Sequence, residues 1–383
     1  MPKSENERAG RYVRQLSGYR AFIPNPLPPE GLDLDGGVRA ALSRADLALG
    51  RLDGAVETLP HPELFTAMYV RREAVLSSQI EGTQASLDDL VAAEARLSGQ
   101  RPMGDVNEVL NYTSALNFGL ARLAELPLSA RLLREIHEIL MHDVRGGHAT
   151  PGDFRTTQNW IGSAGRGLNE AVFVPPPPDQ VAHHIGDLET FLHQPTDLPL
   201  LVQVGLAHAQ FETIHPFVDG NGRLGRLLIT FLLCERKVLT KPVLYVSLTL
   251  KKRRQEYYEH LQAIRDAGQW EAWLIFFLDC VTDAALDAAG LVKRILTLRE
   301  MHRDRIVNEM GARAGKAIRL LERLYRDPYI EVNEAVRFLG VSFANANNIV
   351  LDLQGMGVLR EATGQQRNRI FVYEDYIGLF RDL

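Results

Sequence analysis

Residues 214–226 read IHPFVDGNGRLGR, and the rest of the chain is organised around this stretch. Glycine stands at two of the three positions 220–222, which permits positive φ angles and a close approach of the backbone to a ligand. A helix is predicted immediately afterwards, because apolar residues recur on one face with the helical repeat. That face consists of Leu224, Leu227, Leu228, Phe231 and Leu232. The start of such a helix presents unpaired N–H groups and about half a positive charge, so an anion-binding site is predicted here.

Four side chains near this turn have chemistry that suits such a site. His215 can accept a proton near neutral pH. Asp219 comes just before the turn, where a carboxylate can hold a Mg²⁺ ion that bridges phosphates. Arg223 and Arg226 lie one turn apart and off the apolar face, so both can face an anion. Each feature alone has an ordinary structural explanation, but their occurrence together within a dozen residues favours a phosphate-handling site.

The residues from His215 to Arg226 match the whole signature H-x-F-x-[DE]-G-N-G-R-x-x-R, and the chain therefore resembles the Fic family. Fic proteins are mostly adenylyltransferases, which transfer AMP from ATP to a hydroxyl group of a target protein and release pyrophosphate. The resemblance implies that His215 is the catalytic base and that Asp219 holds Mg²⁺. The ATP-binding residues that it implies are Gly220, Asn221, Gly222, Arg223, Arg226, Tyr257 and Tyr258. The two tyrosines stand for one family tyrosine that lines the adenine pocket, and the sequence does not choose between them.

A second motif lies upstream, where residues 76–82 read LSSQIEG at the end of a predicted helix. Ser77 and Glu81 are four residues apart and share one helix face, and Gly82 is suited to end the helix. Together these three residues resemble the inhibitory motif of Fic proteins, [ST]-x-x-x-E-[GN]. The resemblance implies that Glu81 pairs with Arg226 and keeps the γ-phosphate of ATP from its productive position. The chain is therefore expected to be autoinhibited.

Helical patterns dominate the chain, and the resemblance implies an all-α fold: a Fic helical core with a β-hairpin flap, followed by a C-terminal winged helix-turn-helix. Residues 1–60 are interpreted as an N-terminal extension with helices. Residues 1 to about 10 are expected to form a disordered tail, and residues 11–29 an extended segment laid over a domain.

Residues 61–310 are predicted to form the catalytic core, with the inhibitory helix at about 65–82. The helical pattern stops over residues 145–178, which are rich in Gly, Asn, Ser and Pro, and the resemblance places the flap within this stretch, at about 154–175. In the family this flap docks a segment of the target protein by strand addition. Its tip would be Arg166–Asn169.

Residues 312–383 contain three short helical patterns and then an alternating segment, which together predict a winged helix-turn-helix. The predicted recognition helix carries Asn345, Asn347 and Asn348, and the predicted wing carries Arg367 and Arg369. This part has ten Lys and Arg against nine Asp and Glu, a net charge of +1. Because that balance is too even to favour nucleic acid, DNA binding, protein docking and formation of a homodimer all stay open.

Composition restricts the cell compartment. The chain has 383 residues, 45% of them hydrophobic and 24% charged, with a formal net charge of −5, so no basic field directs it to nucleic acid or a membrane. Its two cysteines, Cys234 and Cys280, lie in apolar helical patterns and predict no disulfide framework or metal site. No apolar run approaches the ~20 residues that cross a bilayer, and the N-terminus lacks an apolar signal core. A cytoplasmic protein without membrane contact is expected.

The predicted partners are ATP and a hydroxyl group of a target protein, which the flap would hold. Three alternatives remain at this stage. The same site can remove AMP in some Fic proteins, with Glu81 orienting water. Phosphate transfer from an inverted ATP is the second alternative. The third is a DNA-binding regulator whose Fic domain only senses nucleotide.

Overall fold

The structure is a computed structural model, and it describes residues 7–95, 104–144, 150–162, 167–239, 241–365 and 367–381. Most of the described residues lie in helices, which confirms the predicted all-α core. The helices of the N-terminal half are α1 (Gly37–Glu57), α2 (Pro62–Ile80), α3 (Leu87–Glu94), α4 (Gly104–Arg122), α5 (Ala130–Leu140) and α6 (Val181–His193). Those that follow are α7 (Leu200–Ile214), α8 (Asn221–Glu235), α9 (Ser247–Lys252), α10 (Arg254–Ala267) and α11 (Trp270–Glu309). No helix among the described residues has both the length and the apolar character that a membrane span requires.

Helices α7 and α8 form the centre of the core and hold the signature between them. Every residue of α7 from Leu201 to Ile214 is buried, and so is nearly all of α8 up to Leu233. The sequence predicted one apolar face on α8, but the helix is buried all round because α2, α4, α5 and α7 pack against it. It also begins earlier than predicted, at Asn221, with Gly220 as its N-cap in the left-handed conformation (φ 78°).

Helix α11 is the longest element, with 40 residues. The sequence predicted two helices here, separated near residues 280–283. That prediction was wrong, because these residues contain neither Gly nor Pro and nothing interrupts the backbone hydrogen bonds. Helix α1 packs along α11, and Gly37 lies so close to it that a Cβ atom there would be 2.9 Å from Ile275. The long helix therefore joins the core to the C-terminal part of the chain.

The N-terminal residues are more ordered than the sequence predicted. Strands β1 (Gly10–Arg14) and β2 (Arg20–Pro24) form an antiparallel hairpin, where the sequence predicted only an extended segment. Residues 1–6 lie outside the described residues. For residues 7–10 the predicted disordered tail is wrong. Arg8 forms an ion pair of 2.6 Å with Glu271 at the start of α11, and Ala9 is buried.

The flap differs from the predicted hairpin of regular strands. Among the described residues of the flap, one antiparallel bridge joins Ile161 to Phe173, and a 3₁₀ turn covers Leu168–Glu170. Four consecutive prolines, 175–178, have no N–H group to extend a ladder. The carbonyl of Val174 accepts instead from the N–H of Phe22 at 2.9 Å, which ties this arm to β2. Of the predicted tip, Arg166 lies outside the described residues.

The C-terminal unit, residues 312–381, follows α11. It contains helices α12 (Ala314–Leu324), α13 (Val332–Leu339), α14 (Phe343–Gly355) and α15 (Glu374–Arg381), and strands β3 (Tyr329–Glu331), β4 (Arg360–Glu361) and β5 (Ile370–Val372). The strands form a three-stranded sheet in the order β3-β5-β4. The three predicted helices and the hairpin are present, whereas β3 and α15 were not predicted. The interpretation as a winged helix-turn-helix, like the predicted domain boundaries, stays a prediction.

Two glycines in helix interiors test this packing. A Cβ atom at Gly205, in α7, would lie 2.8 Å from Phe277 and 3.1 Å from Leu274, whereas one at Gly186, in α6, would meet nothing within 4 Å. Gly205→Ala should therefore destabilise the protein by about 1–3 kcal/mol through overpacking. Gly186→Ala is the matched control and should stabilise it by about 0.5–1 kcal/mol. Urea unfolding measures both, and equal midpoints for the two variants would contradict this close packing.

Candidate active site

The loop between α7 and α8 begins in a strained conformation. His215 caps α7 with φ 49° and ψ 60°, in the left-handed region that non-glycine residues rarely occupy. Such a backbone persists only where the surroundings impose it. Here the guanidinium of Arg155 donates from Nε to the carbonyl of His215 at 2.9 Å, and the N–H of Arg155 donates to Pro216 at 2.9 Å. The left-handed conformation ends α7 at His215 and begins the loop that leads to α8.

Arg155 lies at the base of the flap, and the sequence analysis gave it no role. Only 1% of it is exposed, and burial lowers the pKa of its guanidinium to about 10. It also donates to the carbonyl of Pro176, on the other arm of the flap, at 2.5 Å. One buried cation therefore joins both arms of the flap to the backbone of His215. No local pattern reveals this, because the partners lie 21 and 60 residues away.

Two asparagines fix the middle of the loop. The side chain of Asn221 accepts from the N–H of Phe217 at 2.9 Å and donates to its carbonyl at 2.8 Å. Asn159, in the flap, donates to the same carbonyl at 2.8 Å. Asn221 was predicted to bind ATP, and the structure turns its side chain into the loop. Its backbone N–H, at the first position of α8, is the group that remains for a ligand.

His137 on α5 supports the loop from below, which the sequence did not predict. Its ring stacks on Phe217 with centroids 3.7 Å apart. The N–H of Gly152 donates to Nδ1 at 2.9 Å, so the proton is on Nε2, which donates to the carbonyl of Asp219 at 3.0 Å. Burial lowers the pKa of His137 to about 4, so the ring is neutral at pH 7 and keeps this arrangement.

Asp219 has the environment of a metal ligand. Its side chain is 51% exposed and lies 3.8 Å from Arg223. The N–H of Gly220 donates to one carboxylate oxygen at 2.6 Å, which orients the group. Mg²⁺ commonly binds through one or two carboxylates, phosphate oxygens and water, so an exposed carboxylate beside an anion site fits this ion.

Arg223 is a buried cation with unused hydrogen-bond donors. It is 3% exposed, and its Nε and Nη1 atoms have no hydrogen-bond partner among the described residues. Its nearest carboxylates are Glu108, at 3.6 Å, and Asp219. A buried guanidinium with free N–H groups is costly unless a ligand satisfies it. This arrangement fits an anion placed above the start of α8.

Arg226, by contrast, is fully engaged by α2. Its Nε donates to the hydroxyl of Ser77 at 2.8 Å, and its Nη2 donates to the carbonyl of Ser77 at 3.0 Å and to Glu81 at 2.7 Å. The side chain is 1% exposed. Burial opposes its charge, but the carboxylate of Glu81, together with Tyr257, Tyr258 and Glu212, outweighs burial and holds the pKa of Arg226 above its usual value. The contacts that the resemblance implied between the two motifs are present in the structure.

Glu81 also lies close to the first residues of α8. It caps α2, and Gly82 follows with φ 100°, which suits glycine. A Cβ atom built on Gly222 would lie 2.2 Å from the carboxylate of Glu81. The glutamate therefore lies against the N-terminus of α8, where an anion is stabilised. Burial opposes ionisation, but Arg226 more than compensates, and the pKa of Glu81 is lowered.

His215 is neutral in this setting. Burial, and then the charges of Arg265 and Arg155, lower its pKa to about 4. Its Nδ1 atom is buried and has no hydrogen-bond partner among the described residues. At pH 7 the imidazole is therefore unprotonated and able to accept a proton.

The two candidate tyrosines, Tyr257 and Tyr258, differ in how far they are exposed. Tyr257 is 1% exposed, and its hydroxyl donates to Nε2 of His208 at 2.8 Å, so this group faces the core. Tyr258 is 40% exposed, and its ring centroid lies 5.1 Å from that of Tyr257. His208 donates from Nδ1 to the carbonyl of Gly225 at 2.8 Å, which makes it a packing residue of α7 and α8. Of the pair, Tyr258 offers the accessible surface.

Two further buried carboxylates surround Arg226, and neither was predicted. Glu73, one turn before Ser77 on α2, accepts from Tyr112 at 3.1 Å and from Ser247 at 2.5 Å. Glu212 lies on α7, so close to α8 that a Cβ atom on Gly225 would be 2.4 Å from it. Burial raises the pKa of each to about 7.

The protein is thus a helical-core protein whose junction between α7 and α8 carries a glycine turn, two buried arginines, a neutral histidine and an exposed acid. Two family models match the chain: the one described as "Fic/DOC family N-terminal" at residues 39–121, and the one described as "Fic/DOC family" at residues 127–233. The chain belongs to the Fic/DOC family.

Among curated relatives, the chain is similar to "Protein adenylyltransferase Fic" of Drosophila grimshawi, with 29% identity over 187 residues, or 47% of this chain and 34% of that protein. It is also similar to the protein of that name in Drosophila willistoni, with 26% identity over 65% of this chain and 45% of that protein. The matches therefore span a third to a half of these relatives. Among solved structures, a Fic family protein from Desulfovibrio desulfuricans G20 has the same fold, with a TM-score of 0.56 and 20% identity over 89% of this chain and 97% of that one.

The protonation of His215 can be measured directly. Because the unfolded histidine protonates near pH 6.5, its lowered pKa means that stability contributed by the neutral ring is lost as pH falls from about 6.5 to 4. In selectively ¹³C-histidine-labelled protein, the imidazole of His215 should titrate with a midpoint near 4. His215→Asn identifies the resonance by its loss. A midpoint within about half a unit of the ordinary value of 6.5 would contradict the buried, neutral ring.

Proposed function

We propose that this protein is an autoinhibited protein adenylyltransferase, which transfers AMP from ATP to a Tyr, Ser or Thr hydroxyl of a target protein or of itself. The observation that carries the proposal is the arrangement of cations at the start of α8. Arg223 has free donors, whereas Arg226 is held by Ser77 and Glu81. The donors of Arg223 that lack a hydrogen-bond partner, beside an arginine that a removable side chain occupies, support a binding role for this pair.

The proposed reaction is an in-line displacement at the α-phosphorus. The target oxygen attacks, and its proton passes to the neutral imidazole of His215. The bond between the α-phosphorus and the bridging oxygen breaks, and pyrophosphate leaves with the electron pair. Asp219 would hold Mg²⁺, which neutralises phosphate charge when it is bound. The N–H groups at the start of α8 and the guanidinium of Arg223 stabilise the phosphate oxygens.

Inhibition would follow from the position of Glu81. Its carboxylate lies between Arg226 and the N-terminus of α8, so it takes the place that the terminal phosphate requires. Two like charges cannot share that place, and ATP would bind with its phosphates displaced. A displacement of ~1 Å at the reacting centre can lower a rate by ~100-fold.

The same geometry leaves a second candidate function, removal of AMP from a modified target. The side chain of Glu81 is 36% exposed while its carboxylate contacts Arg226, so a water molecule could approach it. A pre-modified target separates the two directions of reaction. Loss of AMP from it that depends on Glu81 would favour removal.

The target would dock on the flap, because the site lies beneath it. The single bridge between Ile161 and Phe173 leaves flap backbone groups for strand addition by an extended segment. A cytoplasmic setting fits the free cysteines Cys234 and Cys280. Helix α14 carries no Lys or Arg, which gives little support to DNA recognition by the C-terminal unit.

Glu81→Gly tests the proposed inhibition. It removes the carboxylate from Arg226, and transfer of labelled AMP from ATP should rise by roughly 10- to 100-fold. Glu81→Gln keeps the size of the side chain and removes its charge, so it should give part of the rise. Glu57→Gly, at the exposed end of α1, is the matched control and should behave as the unmodified chain. Equal transfer by Glu81→Gly and the unmodified chain would reject autoinhibition.

His215→Ala tests the proposed base. Introduced into the Glu81→Gly chain, it should lower transfer by about 100-fold or more, because it removes the proposed proton acceptor. His142→Ala, at an exposed histidine after α5, should leave transfer unchanged. Circular dichroism melting verifies that both variants fold. Full transfer by the folded His215→Ala variant would remove His215 from the reaction.

A further inference from the structure

Helix α2 contacts more than the candidate active site. Tyr69, Glu73, Ser77 and Glu81 are spaced four residues apart, so they form one ridge along the helix. The last two hold Arg226. From Tyr69 to Glu81 the ridge extends about 18 Å, at ~1.5 Å per residue. Whatever moves the Tyr69 end of this helix as a rigid body also moves the Glu81 end.

The Tyr69 end of the ridge lies against the C-terminal unit. The ring of Tyr69 meets the ring of Phe380, on α15, edge to face with centroids 5.5 Å apart. Both residues are almost fully buried. Phe380 is in turn held by Tyr376, whose hydroxyl donates to the carbonyl of Tyr325 at 3.1 Å. The aromatic contact therefore leads from α2 into the interior of the C-terminal unit.

Arg71 provides a second, polar connection on the neighbouring face of α2. Its Nη1 donates to the carbonyl of Arg326 at 2.8 Å, and its Nη2 lies 3.5 Å from Asp327, both in the turn after α12. Its Nε pairs with Glu94 of α3 at 2.6 Å. Another pair, Arg381 to Asp88, joins α15 to α3. The segment that carries the inhibitory motif is thus fastened to the C-terminal unit at several points.

We infer that the C-terminal unit controls this enzyme by holding α2 in its inhibitory position, through the Tyr69–Phe380 and Arg71–Asp327 contacts. The inference rests on the proposed function, since it concerns release of the same arginine. Opening these contacts lets α2 shift, and Ser77 and Glu81 then leave Arg226. A ligand that binds the C-terminal unit better in the open arrangement would activate transfer, because binding shifts the population towards that state.

The test uses the full chain and two Phe→Ala variants. Phe380→Ala removes the ring that meets Tyr69, whereas Phe338→Ala removes a 40% exposed ring of the same unit, on α13. Phe380→Ala should raise transfer of labelled AMP at least about fivefold, the lower end of usual coupling between sites. Phe338→Ala should leave it unchanged. Arg71→Ala, which cuts the polar connection, should act in the same direction as Phe380→Ala.

Two further measurements separate control from a merely structural contact. If both changes act through Arg226, adding Phe380→Ala to Glu81→Gly should give no further rise. Hydrogen exchange of amides in α2 should increase in Phe380→Ala and Arg71→Ala while α7 and α8 stay protected. Unchanged transfer in both variants beside an active Glu81→Gly chain would overturn the inference and leave the proposed function standing. If Glu81→Gly is itself inactive, the proposed function fails, and exchange in α2 decides the coupling: an increase supports it and no change overturns it.

Discussion

The structure depends on one buried charge, the guanidinium of Arg226. It lies in the centre of the core, 1% exposed, where an unpaired charge would cost several kcal/mol. Arg226 donates three hydrogen bonds to the end of α2, two to Ser77 and one to Glu81. The cation and the end of α2 therefore stabilise each other. Helix α2 also buries apolar side chains, among them Met68, Ala74 and Ile80, and the polar contact joins this helix to α8.

A second constraint acts on the other side of the loop. His215 has a left-handed backbone conformation that costs on the order of 1–3 kcal/mol. Arg155 stabilises this conformation by donating a hydrogen bond to the carbonyl of His215. The same arginine bonds to both arms of the flap. The orientation of the imidazole is thus linked to the surface on which a target segment would lie. A buried arginine thus acts at each end of the signature. Arg155 holds the backbone of His215, and Arg226 is held by α2.

How much of this the sequence predicts depends on the range of each interaction. The signature and the helix after it were predicted because their residues lie in one short, continuous stretch. The pairing of Glu81 with Arg226 spans 145 residues and was implied only by the resemblance of the two motifs to those of the family. The roles of His137 and Arg155 were missed, since their partners come from elements far along the chain. The flap was predicted as a hairpin, but its second arm forms a hydrogen bond with β2. No local pattern reveals this partner, because β2 lies far away along the chain. Tyr257 and Tyr258 could not be separated either, because only the position of His208 decides which hydroxyl faces inward.

The charges around Arg226 also determine what can replace Glu81. Glu73 and Glu212 lie close by, but burial raises the pKa of each to about 7, so near neutral pH each carries only part of a charge. Glu81 is the carboxylate that contacts Arg226 directly in this structure. Under the proposed function, a triphosphate at the start of α8 would supply negative charge to Arg226 when Glu81 withdraws. Withdrawal of Glu81 and binding of the nucleotide would then be thermodynamically linked, and the linkage would be reciprocal. A change that loosens α2 would strengthen productive binding of the nucleotide, and the nucleotide would loosen α2 by the same free energy.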